Sequence, residues 1–138
     1  MDAILIIGRV LFAFLWIGAG FAHFKNLAAM TGYATYKKVP AAKLAVLGSG
    51  LSFLVGGILI LLGTWVDLAS ALIAVTVILA AVIFHQFWRE SDPNTKMQEQ
   101  MAFNKDIALG GAALILFALV ASGAITDFGP SAGAIAFF

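Results

Sequence analysis

His23 and His85 are the only two imidazoles in the chain, and each closes a long apolar run, in GAGFAHFKN and in HQFW. Lys25 and Asn26 follow the first, and Gln86 and Trp88 follow the second. Imidazole, amide and ammonium groups can hydrogen-bond to the carbonyl oxygens of a quinone headgroup, while an aromatic ring stacks on its face. Imidazole also exchanges protons near neutral pH, and reducing a quinone consumes protons. Three readings of the histidines compete on this ground. Both mark the level where greasy helices meet the headgroups. Or they line a polar pocket with Lys25, Asn26, Gln86 and Trp88 at its rim. Or they ligate one haem iron, the reading favoured least, because haem histidines usually lie deeper than a loop boundary.

A second set of polar residues sits inside the apolar runs. Arg9, Trp16 and His23 recur every seven residues, which at about 100° per residue keeps them on one stripe of a helix. Asp67 and His85 are eighteen apart, with Ala71, Ala74, Ile78 and Ala81 near the line between them; five whole turns put them on one face. If those two stripes meet, Arg9 faces Asp67 at one end and His23 faces His85 at the other, with Trp16 over the alanines. A charge inside hydrocarbon costs roughly three to more than ten kcal/mol. That cost favours an Arg9–Asp67 ion pair whose role is structural, fixing helix register. The rival is that each side chain snorkels to its own interface.

The elements that must position these groups follow from composition. Of 138 residues, 62% are hydrophobic and 11% charged, too little polar surface to coat a water-soluble globule. The chain is expected to be all-α, an integral membrane bundle of four transmembrane helices in one domain, 1–138. The spans fall at about 3–23, 44–63, 66–87 and 107–126, each near the roughly 20 residues a helix needs to cross hydrocarbon. Strands are disfavoured, since no segment alternates apolar with polar residues. The first span reads as a membrane helix rather than a signal peptide, because Asp2, its only charge before Arg9, has the wrong sign. Residues 26–36 suit an interfacial helix stopped before Pro40. The stretch 88–100 is the one hydrophilic connection, and the apolar tail after 126 is too short to span and should lie at the interface or against the bundle.

Lys25, Lys37, Lys38, Lys43, Arg89, Lys96 and Lys105 all fall in the first and third connections. That asymmetry predicts a multi-pass membrane protein with both termini outside the cytoplasm. Gly48, Ser52 and Gly56 recur every four residues, and with Gly57, Gly110 and Gly111 they are expected to let helices approach closely. Net charge is only +1 and cysteine is absent. Nothing points to nucleic acid, a metal site or thiol chemistry. Two helical hairpins may be read as a tandem repeat, since the first and third spans each end in His with aromatics and the second and fourth carry GGILILLG and GGAALILF.

These motifs resemble the DoxX family, small four-helix bacterial membrane proteins related to the DoxD subunits of thiosulfate:quinone oxidoreductases. The resemblance is carried by Arg9, GAGFAHFKN, KKVP, GGILILLG, HQFW and FNKDIALGG, over about residues 4–120. Where family members commonly have Phe-x-Lys-Asn, Asn104, Lys105 and Asp106 stand here in a shuffled order. The resemblance implies an inner-membrane bundle associated with a redox system, with protein partners in a membrane complex. Vitamin K epoxide reductases have similar bundles but work through paired cysteines, which this chain lacks. The expectation is therefore a non-autonomous subunit with quinone as the candidate ligand of His23, Lys25, Asn26, His85, Gln86 and Trp88. The alternative is a structural accessory subunit without a ligand. No nucleophile, metal cluster or nucleotide loop marks an enzyme acting alone.

Overall fold

The computed structural model describes residues 2–138; Met1, part of the expected domain, lies outside them. Apolar runs free of interior proline become helices because hydrocarbon offers backbone groups no partner but their own turn. The chain forms α1 (Asp2–Lys25), α2 (Leu27–Tyr36), α3 (Ala42–Leu62), α4 (Val66–Phe84), a 3-10 turn at Phe87–Arg89, and α5 (Pro93–Ala121). Four of these are long and apolar enough to cross a membrane. The chain is thus an all-helical membrane bundle, as composition requires.

The last span departs from expectation. It begins at Pro93, not near 107, and ends at Ala121. Asp92 accepts hydrogen bonds from the backbone N–H and the hydroxyl of Thr95, at 2.8 and 2.9 Å, and Pro93 takes the first helical position. This is a strong start signal. The Thr95 donors hold the Asp92 carboxyl below the usual carboxylate range, so the cap persists at neutral pH and is lost only as pH falls through that lowered value. The 29 residues of α5 extend roughly 43 Å, well beyond the hydrocarbon thickness of about 30 Å. Its first half projects from the end of the bundle that holds the basic residues, here the basic end.

Sequence-adjacent spans pair. α1 packs along α3 and α4 along α5, and α3 joins α4. An added Cβ on Gly57 would lie 2.9 Å from the Ile17 nitrogen, and one on Gly20 would lie 2.7 Å from that of Leu54. On α5, a Cβ at Gly110 would strike Ile78, and on α3 one at Gly56 would lie 2.8 Å from Ile73. Backbone is therefore in contact with the neighbouring helix at these crossings. Gly48 and Gly111 meet nothing within 4 Å, so the expected Gly48–Ser52–Gly56 stripe is a packing contact only at Gly56. The expectation that the first and third spans lie side by side is also corrected, because α3 stands between α1 and α4. Trp16 stacks on Phe53 of α3, with ring centroids 5.0 Å apart, instead of covering the alanines of α4.

At the opposite end, residues 122–138 fold back as an irregular tail and bury Phe128. The α3–α4 turn leaves helix-start donors without partners, and the tail supplies them. Trp65 N donates to Ala134 O at 2.9 Å and Val66 N to Ile135 O at 2.7 Å. The Arg9–Asp67 ion pair does not form. Arg9 Nη1 donates to Phe128 O at 2.6 Å. Asp67, fully buried, accepts from the backbone N–H of Leu68, Phe137 and Phe138 at 2.8 to 3.0 Å. Each charge is met by tail backbone, which lies closer than the other charge.

Two stability outcomes follow. Gly57→Ala should cost about 1–3 kcal/mol through overpacking against backbone and lower the Tm in detergent, whereas Gly111→Ala should leave it unchanged. Asp67→Asn places an amide among three donors, so limited proteolysis should cut the tail faster than in the parent chain while the spans stay protected.

Candidate functional site

α3 is tight against α4 only near Gly56, and towards the basic end the two helices stand apart. The space between them is a cavity of about 830 Å3. Ser49 and Ser52 of α3 and Thr76 and Ala80 of α4 form its walls, with Trp16 and Phe53 at its deep end. Helix α2 closes it on one side through Met30 and Tyr33, and Tyr33 stacks on Phe84 at 5.7 Å. Ala45, Gly48 and Leu79 on its walls are exposed, so the cavity communicates with the surroundings of the bundle.

Both histidines line this one cavity, although their helices are not neighbours. His23 Nδ1 donates to Ala19 O at 2.8 Å, which leaves Nε2 as the nitrogen free to accept or carry a proton. Its ring stands edge-on to Phe53 at 5.5 Å. His85 is held between two carboxylates of α5. Its Nδ1 is 2.8 Å from Glu99 Oε2 and its Nε2 is 3.5 Å from Asp106 Oδ2. Lys105 Nζ lies 3.3 Å from the other Asp106 oxygen. Glu99 and Asp106 are seven residues apart and so share a face of α5. Asp106 lines the cavity and Glu99 does not, so the Glu99–His85–Asp106 series leads from outside the cavity to its wall.

The remaining candidates lie elsewhere. Asn26 Nδ2 donates to Ala22 O at 3.1 Å and Gln86 Nε2 to Val82 O at 3.1 Å, so both amides satisfy end carbonyls of their own helices. Lys25 is exposed. Trp88 joins Phe87 and Phe103 in an edge-on aromatic cluster. None of the four lines the cavity. The rim assignment is thereby corrected: the two amides fold back onto carbonyls one turn earlier, Ala22 O being shared with the backbone N–H of Asn26.

Three contributors were not singled out from the sequence. Glu99 and Asp106 became visible only once α5 started at Pro93, although Asp92-Pro93 carried that signal. Trp16 had been assigned to packing alone. It is 3% exposed, and its indole Nε1–H is buried without an acceptor, a state that ordinarily costs about 1–3 kcal/mol.

The family model described as DoxX matches residues 4–86, which takes in α1 to α4 and stops before α5. No curated protein and no solved structure matches the chain.

Because the native chain has no cysteine, a single introduced thiol reports on access. Ser49→Cys, on the cavity wall, should react with a small water-soluble thiol reagent, and Val55→Cys, exposed on the same helix but outside the cavity, should not. No reaction at Ser49→Cys would mean that the cavity is not wetted.

Proposed function

The chain belongs to the DoxX family, and from that premise we propose that it is a membrane subunit whose basic-end cavity receives the headgroup of a lipid-soluble quinone on behalf of a redox partner. One observation carries this reading: a single cavity gathers both histidines and Asp106, although α1 and α4 are not neighbours. Its volume of about 830 Å3 falls within the range of small-molecule sites, and its lining is largely apolar with a few convergent polar groups.

The residues divide the work by their chemistry. Trp16 closes the deep end with apolar ring surface, two helical turns or roughly 10 Å beyond His23. His23, with Nδ1 committed to Ala19, presents Nε2 to the cavity as a proton acceptor, or as a donor once protonated. Phe53 and Tyr33 offer ring faces and edges. A bound quinone supplies reversible two-electron, two-proton chemistry, with the electrons coming from the partner. His85 exchanges protons with Glu99 through Nδ1 and with Asp106 through Nε2, which gives protons a route between the basic face and the cavity. Both nitrogens of His85 already face carboxylates, a disposition that suits proton exchange better than iron ligation. The gathering of all seven loop lysines and arginines at this end supports an inner-membrane orientation with the cavity towards the cytoplasm.

Calorimetric titration of the purified chain with a short-chain quinone tests the proposal. Saturable binding is expected. His23→Leu, which removes Nε2, should weaken it about five- to ten-fold, the worth of one hydrogen bond, and His85→Ala should change its pH dependence. Absence of binding in the parent chain would leave the structural accessory subunit as the standing account.

A further inference from the structure

Arg9 is a cation without a counter-charge. It lies two turns into α1, where a guanidinium is costly to hold, and of its five N–H donors Nη1 meets Phe128 O at 2.6 Å. Its Nε–H is buried with no acceptor. The acids near this end are otherwise engaged. Asp67 takes three backbone N–H groups, and exposed Asp127 accepts from Gly129 N at 2.8 Å. Among the described residues no carboxylate lies within ion-pair distance of Arg9. The carbonyl of Phe128 and the C-terminal end of α3 contribute dipoles, which offset only part of a full charge. Bare backbone at Gly63 makes room for the group, since a Cβ there would lie 2.7 Å from Nη1.

Beside Arg9 lies a second cavity of about 270 Å3, lined by Leu5, Phe12, Ile60, Leu116 and Phe128. It sits between α1 and α5, which do not pack along each other, with Ile60 of α3 and Phe128 of the tail completing its wall. An apolar slot ending at an unneutralised guanidinium matches an amphiphile that carries hydrocarbon and a negative head together. We propose that this is a binding site for an anionic phospholipid, with a phosphodiester oxygen on Arg9 and a segment of acyl chain between α1 and α5. A membrane supplies such lipids in its own plane, and guanidinium pairs with phosphate through charge-assisted hydrogen bonds. The site is at the opposite end of the bundle from the quinone cavity and stands or falls independently of it.

Native mass spectrometry of the full chain, released from micelles containing equal amounts of phosphatidylglycerol and phosphatidylcholine with oleate as a third component, reads the outcome directly. The parent chain should retain phosphatidylglycerol over phosphatidylcholine by about ten-fold or more, because the choline ammonium repels the guanidinium and offsets the phosphodiester charge. Arg9→Lys should keep the preference and Arg9→Gln should lose it. Leu116→Trp, which fills the slot and leaves the charge in place, should also lose it, and it decides the matter if Arg9→Gln fails to fold. Equal retention of the two phospholipids by the parent chain, an undiminished preference in Leu116→Trp, or selective retention of oleate would each overturn the proposal.

Discussion

Backbone touching backbone at a few glycines sets the form of this bundle. In lipid no water is released when apolar helices meet, so association depends on close van der Waals contact and on polar groups finding partners. Gly20 and Gly57 lock α1 to α3, and Gly110 locks α5 to α4. The two pairs then share one tight crossing, where Gly56 meets Ile73. Helices joined at a single point diverge away from it. The cavity at the basic end is the geometric remainder of that arrangement, and the groups that line it are whatever α1, α3, α4 and α5 present to the gap.

The two ends of the molecule solve opposite problems. At the tail end, a helix start and two ionisable side chains sit where water is scarce, and the returning chain supplies carbonyls to Arg9, Trp65 and Val66 and N–H groups to Asp67. That end is sealed almost entirely by backbone. At the basic end, side chains predominate: imidazole against carboxylates, an indole without an acceptor, hydroxyls along two walls. Rigidity gathers at one end and exchangeable protons at the other.

Much of the fold was legible because hydrocarbon imposes a length and a composition on whatever crosses it. The first three spans are within a few residues of their expected bounds, and α2 is where an apolar, Pro-stopped stretch suggested an interfacial helix. Lateral arrangement was not legible. Helical spacing places Arg9 and Asp67 on stripes, but it does not say which helix a stripe faces, and α3 intervenes. The tail was also underrated. The stretch after 126 was expected only to lie at the interface or against the bundle, yet its backbone decides the partners of both Arg9 and Asp67. Of the residues named for a pocket, His23 and His85 do line one cavity, and an imidazole ending an apolar run stands out in a chain with two. Asn26 and Gln86 misled because a short amide at a helix end is drawn to its own last turn, a preference that sequence proximity to a histidine conceals. Asp106 was hidden inside a stretch taken for a loop and a helix start.

The length of α5 has a mechanical corollary. Glu99 and Asp106 ride on one stiff rod, so neither can leave His85 without carrying the other. A slip of that rod by a single residue translates it about 1.5 Å and rotates it about 100°, enough to part both carboxylates from the imidazole together.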